Sequence, residues 1–500
     1  MQISVRHGEL LSAGASLLVL GMYGEGAFDS PVLKTVYDAL GSKLKKRAKA
    51  QSFTGKPGQS LLIPAPAEAH ADYLLIVGLG PLDSLPLSSV REAAGSALSS
   101  AKRLGLDTIA FELLGEGHDD FDAKRSAAAI TEALLLGDYS YNVYKKKKGI
   151  EVKTVELIAQ EKRSVLKAEK GVVHGTDVIA GVNLARDLVN TPAQDMTPTV
   201  LAEEARRIAK ESGGRIKCKV LDREQCRKKK MGSYLAVAQG SEEPPQFIHL
   251  TYKPEKESKK RLALVGKGVT FDSGGLSLKP SKGMETMKCD MAGSAAVIGA
   301  FEAIRRLLPK IEVHGIVAAT ENMPSDRAIR PGDVVRASNG KTIEILNTDA
   351  EGRLTLADAI HYAGKQKPDA IVDLATLTGA CVVSLGEEIA AVMSNDDKFA
   401  QDMLVASSTA GEKMWHMPLE VNYRKLIESD IADVRNISTS RYGGSLTAGL
   451  FLKEFVPEDV PWVHLDIAGP AFAERPMASY LGKGGTGYGV RTLLKLIETF

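Results

Sequence analysis

Apolar segments of strand length alternate with helical segments along most of the chain, which leaves few folds open to it. In the first 165 residues the predicted strands are 15–22, 73–78, 108–112 and 154–158, and the predicted helices between them are 88–104 and 124–137. Strands that alternate with helices usually form a largely parallel sheet that is covered by those helices. The sequence therefore predicts an α/β fold, with an N-terminal domain built on a mixed or parallel sheet.

A second, larger α/β unit follows a helical segment at residues 173–189. Pro192 prevents this helix from continuing further along the chain. Its predicted strands are 217–221, 246–252, 262–266, 312–318, 370–374 and 462–467, and its predicted helices include 199–211, 293–307 and 356–364. We expect three parts: an N-terminal α/β domain at 1–165, a linker helix at 166–195, and a catalytic domain at 196–500 with a central sheet flanked by helices.

Composition excludes some classes of protein and leaves others open. Hydrophobic residues make up 44% of the chain and charged residues 25%, as in ordinary globular proteins. The net charge of +2 gives no argument for a nucleic-acid partner of the whole chain. None of the four cysteines forms a CxxC pair, so they indicate reduced thiols. We find no secretion signal and no apolar segment long enough to span a membrane, and expect a cytoplasmic protein.

Three segments place acidic and basic residues beside glycines. The first, VGKGVTFDSGGLSLK at 265–279, contains Lys267, Asp272 and Lys279. It begins at the end of a predicted strand, where open α/β sheets bind their ligands. The second, MKCDMAGS at 287–294, places Asp290 just before a predicted helix.

The third segment is NTDAEGRL at 347–354, which contains Asp349, Glu351 and Arg353. In an extended loop, residues two apart point the same way. We therefore expect two carboxylates and one guanidinium group to converge there.

Four carboxylates in one site need a cationic partner, because like charges at short range in a low dielectric repel strongly. The four are Asp272, Asp290, Asp349 and Glu351. Two divalent metal ions ~3.5–4 Å apart would hold them, and carboxylate oxygens bind zinc, magnesium or manganese. Lys267 either pairs with the carboxylates as an ammonium ion or loses its proton and becomes a metal ligand.

Each residue also has an ordinary explanation when it is taken alone. Asp349 fits a turn, Lys267 a surface charge, and Arg353 a salt bridge. His361, placed after a helix, and His464, in a strand, are expected to be packed structural histidines. The sequence lacks an HExxH zinc motif, and Ser273 lacks the GxSxG context of a nucleophilic serine.

Together, NTDAEGRL and KGVTFDSGGLSLK resemble the signatures of the leucyl aminopeptidase (cytosol aminopeptidase) family of metallopeptidases, and the resemblance covers about residues 175–500. It implies an enzyme that removes the N-terminal residue, preferably leucine or another apolar residue, from peptides with a free N-terminus. It also implies a homohexamer and two divalent ions per subunit, zinc or manganese, with magnesium or cobalt as alternatives.

The resemblance assigns a role to each matching residue. One metal ion would be held by Lys267, Asp272, Asp290 and Glu351, and the other by Asp272, Asp349 and Glu351, with the Asp349 carbonyl oxygen as a further ligand. Lys279 and Arg353 would be catalytic, and Arg353 would hold a bicarbonate ion that acts as general base. The substrate side chain would contact Met287, Thr376, Gly379 and Ala468.

Two other functions stay open at this point. A different two-metal hydrolase, such as a phosphatase, would use the same carboxylates, although the phosphate-binding motif GxxxxGK followed by Ser or Thr is absent. DNA binding by the N-terminal domain, or an architectural role, would rest on the basic runs at 145–148 and 227–230. Such runs are usually solvated surface, and DNA binding could coexist with catalysis.

Overall fold

The computed structural model describes residues 1–24, 31–81, 85–116, 122–146 and 149–500. The chain divides into two compact units. Unit 1 comprises Met1–Ile179 and Arg475–Gly482, and unit 2 comprises Ala180–Glu474 and Lys483–Phe500.

Unit 1 is a six-stranded sheet with helices. Its strands are β1 (Gln2–His7), β2 (Leu17–Tyr23), β3 (Ser60–Pro64), β4 (Tyr73–Gly80), β5 (Thr108–Glu112) and β6 (Thr154–Ala159). Its helices are α1 (Pro31–Leu40), α2 (Ser42–Ala50), α3 (Leu87–Leu104), α4 (Ala123–Asp138) and the first part of α5 (Val165–Asn190). The strand order is β1-β6-β5-β2-β4-β3, and only β3 runs antiparallel to its neighbour.

The strands and helices of unit 1 follow from local sequence signals. Strands β2 and β4 are apolar almost throughout because both faces of a largely parallel sheet are covered. Helix α4 begins where the Asp122 side chain accepts a hydrogen bond from the Arg125 N–H, and α3 ends at Gly105, which has a φ of 75°. The sequence prediction missed β1 and β3, which are short, and the helices α1 and α2.

Unit 2 contains the longer sheet and most of the helices. Its strands are β7 (Ile216–Leu221), β8 (Gln246–Tyr252), β9 (Arg261–Asp272), β10 (Glu312–Asn322), β11 (Val334–Arg336), β12 (Thr342–Glu344), β13 (Ala370–Ala375), β14 (Ala390–Ser394), β15 (Met414–His416), β16 (Val434–Arg435), β17 (Trp462–Asp466), β18 (Phe472–Ala473) and β19 (Gly484–Gly485). Its helices after α5 are α6 (Pro198–Glu211), α7 (Arg223–Lys228), α8 (Gly232–Ala238), α9 (Ser281–Met284), α10 (Ala292–Leu307), α11 (Gly352–Gly364), α12 (Gly379–Leu385), α13 (Asp397–Ala410), α14 (Gly444–Lys453) and α15 (Val490–Thr499). Short 3₁₀ helices occur in unit 1 at Leu10–Ser12 and Lys162–Ser164, and in unit 2 at Met287–Met291 and Val421–Ile427.

The central sheet of unit 2 has eight strands in the order β15-β14-β17-β13-β9-β10-β8-β7. Its four middle strands, β17, β13, β9 and β10, run parallel, so their carboxyl ends meet at one edge of the sheet. These ends are Asp466, Ala375, Asp272 and Asn322. Ligands of open α/β sheets bind at this edge. The predicted α/β class, with a mixed N-terminal sheet and a larger C-terminal sheet between helices, is confirmed.

Two glycines allow the helix that follows the Met287–Met291 turn to lie against the sheet. A Cβ on Gly293 would come 2.1 Å from the Leu374 carbonyl oxygen, and one on Gly266 would come 2.6 Å from the Gly293 carbonyl oxygen. Side chains at these positions would push α10 away from β9 and β13. The close packing therefore fixes the turn that carries Asp290 at the carboxyl edge of the sheet.

Several predicted boundaries in unit 2 are wrong, and one of them is the strand predicted at 312–318, which continues to Asn322. The strand predicted at 262–266 continues to Asp272, because Lys267 is buried inside the sheet rather than placed in a loop. The helix predicted at 356–364 begins at Gly352. Within the described ranges, no helix is both long and apolar enough to cross a membrane.

Candidate active site

Lys267, in the middle strand β9, is the centre of the first group of contacts. Its Nζ lies 2.7 Å from Asp290 Oδ1, 2.9 Å from Glu351 Oε1 and 2.9 Å from the Thr376 carbonyl oxygen. Lys267, Asp290 and Glu351 are all buried. One ammonium group thus joins the 3₁₀ turn, the start of α11 and the loop after β13.

Lys279 is the centre of the second group. Its Nζ lies 2.8 Å from Asp272 Oδ2 and 2.5 Å from Asp349 Oδ1. Lys279 and Asp349 are partly exposed, whereas Asp272 is buried. The structure therefore brings together all four carboxylates named from the sequence, with one lysine on each side.

Three of the carboxylates form a compact set of potential metal ligands. One oxygen from each of Asp272, Asp290 and Glu351 lies within 4.8 Å of the others. Among the described residues, Asp290 Oδ2 and Glu351 Oε2 are buried and have no hydrogen-bond partner. A buried polar atom without a partner costs about 1–3 kcal/mol, so these two oxygens fit a site completed by a cation.

The electrostatics of the site also indicate a shortage of positive charge. Burial, together with the charge of Asp272, raises the pKa of Glu351 to about 8 against the opposing effect of Lys267. Burial likewise raises the pKa of Asp290 to about 6. When all four carboxylates are ionised, they outnumber the two ammonium groups by two. Divalent cations would supply the missing charge.

Burial opposes the charge of Lys267, but the nearby Asp290, Glu351 and Asp272 outweigh burial and raise the pKa of its ammonium group. In this structure Lys267 pairs with Asp290 and Glu351, and its role as a metal ligand stays a prediction.

The prediction that the NTDAEGRL segment forms an extended loop is wrong. Glu351 has helical backbone angles, φ −81° and ψ −33°, and α11 begins at the next residue. Arg353 therefore lies in the first turn of a helix. Gly352 is required at this turn because a Cβ there would lie 2.5 Å from Lys267 Cε. The convergence of the segment on the site arises from the start of a helix, not from strand-like alternation.

Arg353 is buried but does not pair with the acidic cluster. One of its terminal nitrogens donates a hydrogen bond to the Asn436 carbonyl oxygen at 2.7 Å, and in the described part of the chain its Nε has no partner. Burial lowers the pKa of the guanidinium group to about 10, although Glu351 and Asp466 oppose this effect. Arg353 is therefore held by a hydrogen bond to a backbone carbonyl oxygen, and not by the salt bridge that was considered from the sequence.

The four residues expected to contact the substrate side chain lie on elements around the cluster. The Thr376 hydroxyl donates to Asp290 Oδ1 at 2.8 Å. Ala468 follows β17, and its N–H donates to Asp466 Oδ1 at 3.2 Å. Met287 begins the 3₁₀ turn that carries Asp290, and Gly379 is the exposed first residue of α12.

Sequence reasoning missed three buried polar residues that shape the site: Asn322, Asn436 and Asp466. Asn436 Oδ1 accepts hydrogen bonds from the Leu346 and Asn347 N–H groups, and its Nδ2 donates to the Asn347 carbonyl oxygen. Asp466 Oδ1 accepts from the Leu377 N–H as well as from Ala468. Nothing in the local sequence of these three residues distinguishes them from ordinary loop or strand-end residues.

The remaining residues singled out from the sequence have structural positions. His464 is fully buried, with its Nδ1 2.6 Å from Asp373 Oδ1, whereas His361 lies within α11 rather than after it. All four cysteines are free thiols. The basic run at 227–230 is exposed; Lys145 and Lys146 are exposed too, while Lys147 and Lys148 lie outside the described residues.

The chain matches one family over both of its units. Residues 183–494 match the catalytic domain of the cytosol aminopeptidase family, and residues 19–148 match its N-terminal domain. A probable cytosol aminopeptidase of Persephonella marina is 43% identical over 499 residues, which cover 99% of this chain and 98% of the relative. Leucine aminopeptidase 1 of Arabidopsis thaliana is 44% identical over 496 residues, 98% of this chain and 93% of the relative.

Solved structures agree with these sequence relatives. A mutant of tomato leucine aminopeptidase superposes with a TM-score of 0.89 at 40% identity, covering 100% of this chain and 97% of that chain. The bottromycin maturation enzyme BotP in complex with Mn has a TM-score of 0.84 at 36% identity, covering 97% of this chain and 99% of that chain. The chain therefore belongs to the cytosol aminopeptidase family and is, as its sequence predicted, a leucyl aminopeptidase of the metallopeptidase class.

Proposed function

We propose that this aminopeptidase removes N-terminal leucine or another apolar residue from peptides by metal-assisted hydrolysis at the acidic cluster. The observation that supports this most is the set of three buried carboxylates with two unpartnered oxygens. The manganese in the BotP structure supports a divalent ion, since that protein covers 97% of this chain. Zinc and manganese are the preferred ions, with magnesium and cobalt as alternatives.

The ligands we propose are those implied by the family signatures. Lys267, Asp272, Asp290 and Glu351 would hold one ion, and Asp272, Asp349 and Glu351 would hold the other, with the Asp349 carbonyl oxygen. Asp272 and Glu351 would serve both ions. When bound, a pair of such ions lowers the pKa of water to near neutrality, polarises a carbonyl group and binds the free amino group of the substrate.

Lys279 would act on the oxygen of the scissile carbonyl. Its ammonium group is attached to a flexible side chain, and its pKa is raised because Asp272 and Asp349 outweigh the effect of burial. It is therefore charged at neutral pH. With Asp272 and Asp349 engaged as metal ligands, the Lys279 ammonium would be free to donate to the oxygen that becomes negative in the transition state.

Arg353 would hold the general base. Its guanidinium group is buried, its Nε is unpartnered among the described residues, and no histidine motif marks another base. A guanidinium fork suits a planar anion, and a bicarbonate ion bound there would accept the proton of the attacking water.

The substrate side chain would contact Met287, Thr376, Gly379 and Ala468. These residues are small or apolar, apart from a threonine hydroxyl that is already used by Asp290. Such a surface favours apolar side chains over charged ones.

The test uses Asp349→Ala with a leucyl anilide substrate and metal analysis of the purified protein. We expect loss of one of two bound ions and a large loss of kcat, because Asp349 would bind one ion only. The exposed Asp402, in α13 and paired with Lys398, provides the matched control Asp402→Ala. Undiminished hydrolysis by Asp349→Ala would contradict the two-metal proposal.

Two further parts of the proposal concern the protein in the cell. We expect a homohexamer, which light scattering of the purified protein will test. We also expect the enzyme to act in the cytosol, the compartment in the names of its relatives.

A further inference from the structure

Asn322, the last residue of β10, is buried beside the acidic cluster. Strands β9 and β10 pair in regular parallel register up to Thr320 and Val269, and the register then shifts so that Asn322 lies opposite Asp272. A bulge of this kind re-aims a side chain and is common next to active sites. Here it turns an amide side chain toward a carboxylate that we assign to both metal ions.

The amide group of Asn322 contacts two acidic loops at once. Its Nδ2 donates to Asp272 Oδ1 at 2.8 Å and to the Thr348 carbonyl oxygen at 3.0 Å. The backbone carbonyl oxygen of Asn322 accepts from the Ser273 N–H at 3.0 Å and from the Ser273 hydroxyl at 2.7 Å. Both N–H bonds of the side chain are therefore used at the site.

Thr348, which is fully buried, joins the same two loops from the other side. Its hydroxyl donates to the Gly274 carbonyl oxygen at 2.6 Å and accepts from the Ser277 N–H at 2.8 Å. The loop after β9 and the loop before α11 are therefore interlocked, with Asn322 at the contact nearest Asp272.

Gly275 is the residue that makes this contact possible. It has a φ of 63°, and a Cβ there would lie 2.8 Å from Asn322 Oδ1 and 3.1 Å from the Thr348 hydroxyl. Any larger residue would strain the backbone and press against the amide group.

We propose that Asn322 is a positioning residue that orients the Asp272 carboxylate for both metal ions and fixes the separation of the two acidic loops. The inference rests on the metal pair of the proposed function. Hydrogen bonds to a metal-binding carboxylate restrict its rotation, and loss of such a partner usually weakens metal affinity by about 10–100-fold. Because Asn322 also holds the Thr348 carbonyl, which adjoins Asp349, its loss affects the ligands of both ions.

The experiment is a calorimetric titration of the metal-free, full-length protein with Mn²⁺. Asn322→Leu roughly keeps the size of the side chain but removes both N–H donors without adding charge, and Asn322→Ser shortens the side chain so that it no longer reaches Asp272. We expect each variant to bind Mn²⁺ about 10–100-fold more weakly than the wild type.

Electron paramagnetic resonance of the manganese-loaded protein supplies a second measurement. Two Mn²⁺ ions that share carboxylate ligands are magnetically coupled, so a misoriented Asp272 would change the coupled signal even when the fold is intact. Circular dichroism of the metal-free variants checks that fold.

Asn395→Leu is the matched control. The Asn395 side chain also makes two hydrogen bonds, to the Val460 carbonyl oxygen and from the Trp462 N–H, but it lies away from the cluster. Its variant should bind Mn²⁺ as the wild type does.

The possible results separate this inference from the proposed function. A wild-type protein whose Mn²⁺ titration is unchanged by Asp290→Ala would contradict the metal site itself. A wild type with two ions, and Asn322 variants with the same affinity and the same coupled signal, would overturn the positioning role. Loss of kcat with unchanged metal binding would overturn it too, since Asn322 would then act on the substrate directly.

Discussion

At the residue scale, the site depends on two lysines with different surroundings. Lys267 is buried among acidic groups within a strand, whereas Lys279 lies in a loop and is partly exposed. A lysine fixed inside a sheet cannot move to meet a substrate, but a lysine in a loop can. This difference supports a metal-binding role for Lys267 and a catalytic role for Lys279.

Replacement of Lys279 tests that assignment. Lys279→Ala should lower kcat by about 10²–10³, the usual effect of removing one donor to a developing oxyanion. The fold and the metal content should be unchanged, because the proposed metal ligands are all other residues. Kinetics on a leucyl anilide, with metal analysis, will measure both.

The neighbouring Lys282, which is exposed in α9, provides the control variant Lys282→Ala. If Lys279→Ala raised KM and left kcat at the wild-type value, Lys279 would bind substrate without stabilising the transition state.

At the scale of elements, the N-terminus of α11 is placed by close packing against β9. Alanine favours a helix over glycine by about 1 kcal/mol, yet Gly352 stands in the first turn because its missing Cβ leaves room for Lys267. At this position the contact between α11 and β9 therefore outweighs the helix propensity of the residue.

Gly352→Ala should therefore weaken metal binding and activity by at least about tenfold, because the new Cβ displaces Lys267 from Asp290 and Glu351. Gly14→Ala is the control and should be silent, since a Cβ on Gly14 would meet nothing within 4 Å and its φ is not positive. Wild-type Mn²⁺ affinity in Gly352→Ala would show that Lys267 tolerates the displacement.

A second relation between elements is a hydrogen-bonded chain of side chains from α11, β8 and β10. His249 Nδ1 lies 3.1 Å from the Tyr362 hydroxyl, His249 Nε2 lies 2.9 Å from His314 Nδ1, and His314 Nε2 lies 3.0 Å from Glu312 Oε1. Since Glu312 only accepts when it is ionised, His314 donates to it and His249 donates to His314. Both imidazoles are then neutral.

This chain predicts acid sensitivity. Burial, with help from His314 and Lys219, lowers the pKa of His249 to about 4 from an ordinary 6.5. The unfolded state then binds more protons than the folded state between these pH values, so stability falls as pH decreases from about 7 toward 4. At 1.36 kcal/mol per pKa unit, His249 contributes up to about 2 kcal/mol of loss between pH 7.5 and pH 5.

Urea unfolding of the chelated protein at both pH values will measure this loss. His249→Asn should be less stable at pH 7.5 but show a shallower dependence on pH, whereas His416→Asn, at an exposed histidine, should keep the wild-type dependence. Identical slopes for the wild type and His249→Asn would remove His249 as the cause.

At the scale of the whole molecule, metal binding and stability should be linked. The cluster has four carboxyl groups and only two ammonium groups, so divalent ions that bind the folded chain only will stabilise it. At a metal concentration 100 times Kd, the gain is about 2.7 kcal/mol per site.

We therefore expect chelation to abolish activity and lower Tm, and re-addition of zinc or manganese to restore both. Asp290→Ala, which removes a proposed ligand, should lose most of the metal-dependent rise in Tm. An equal rise in the wild type and the variant would place the stabilising ions elsewhere on the protein.

The domain limits of 1–165 and 196–500, with a linker helix between them, stay a prediction. What the sequence predicted well was the position along the chain of several core strands, since β2, β4, β5, β6 and β8 are marked by apolar runs between polar turns. It also indicated that the carboxylates would meet, because the segment at 265–279 begins at the end of a predicted strand and the segment at 287–294 lies just before a predicted helix.

By itself, the sequence determined the fold class and the family and named a set of candidate site residues, because these depend on local periodicity and on short motifs. Only the tertiary structure decided that Lys267 lies inside a strand, that Arg353 starts a helix, and that Asn322, Asn436 and Asp466 support the site. Their partners are distant along the chain, and burial and hydrogen bonding between such residues leave no periodic signal for a local pattern to reveal.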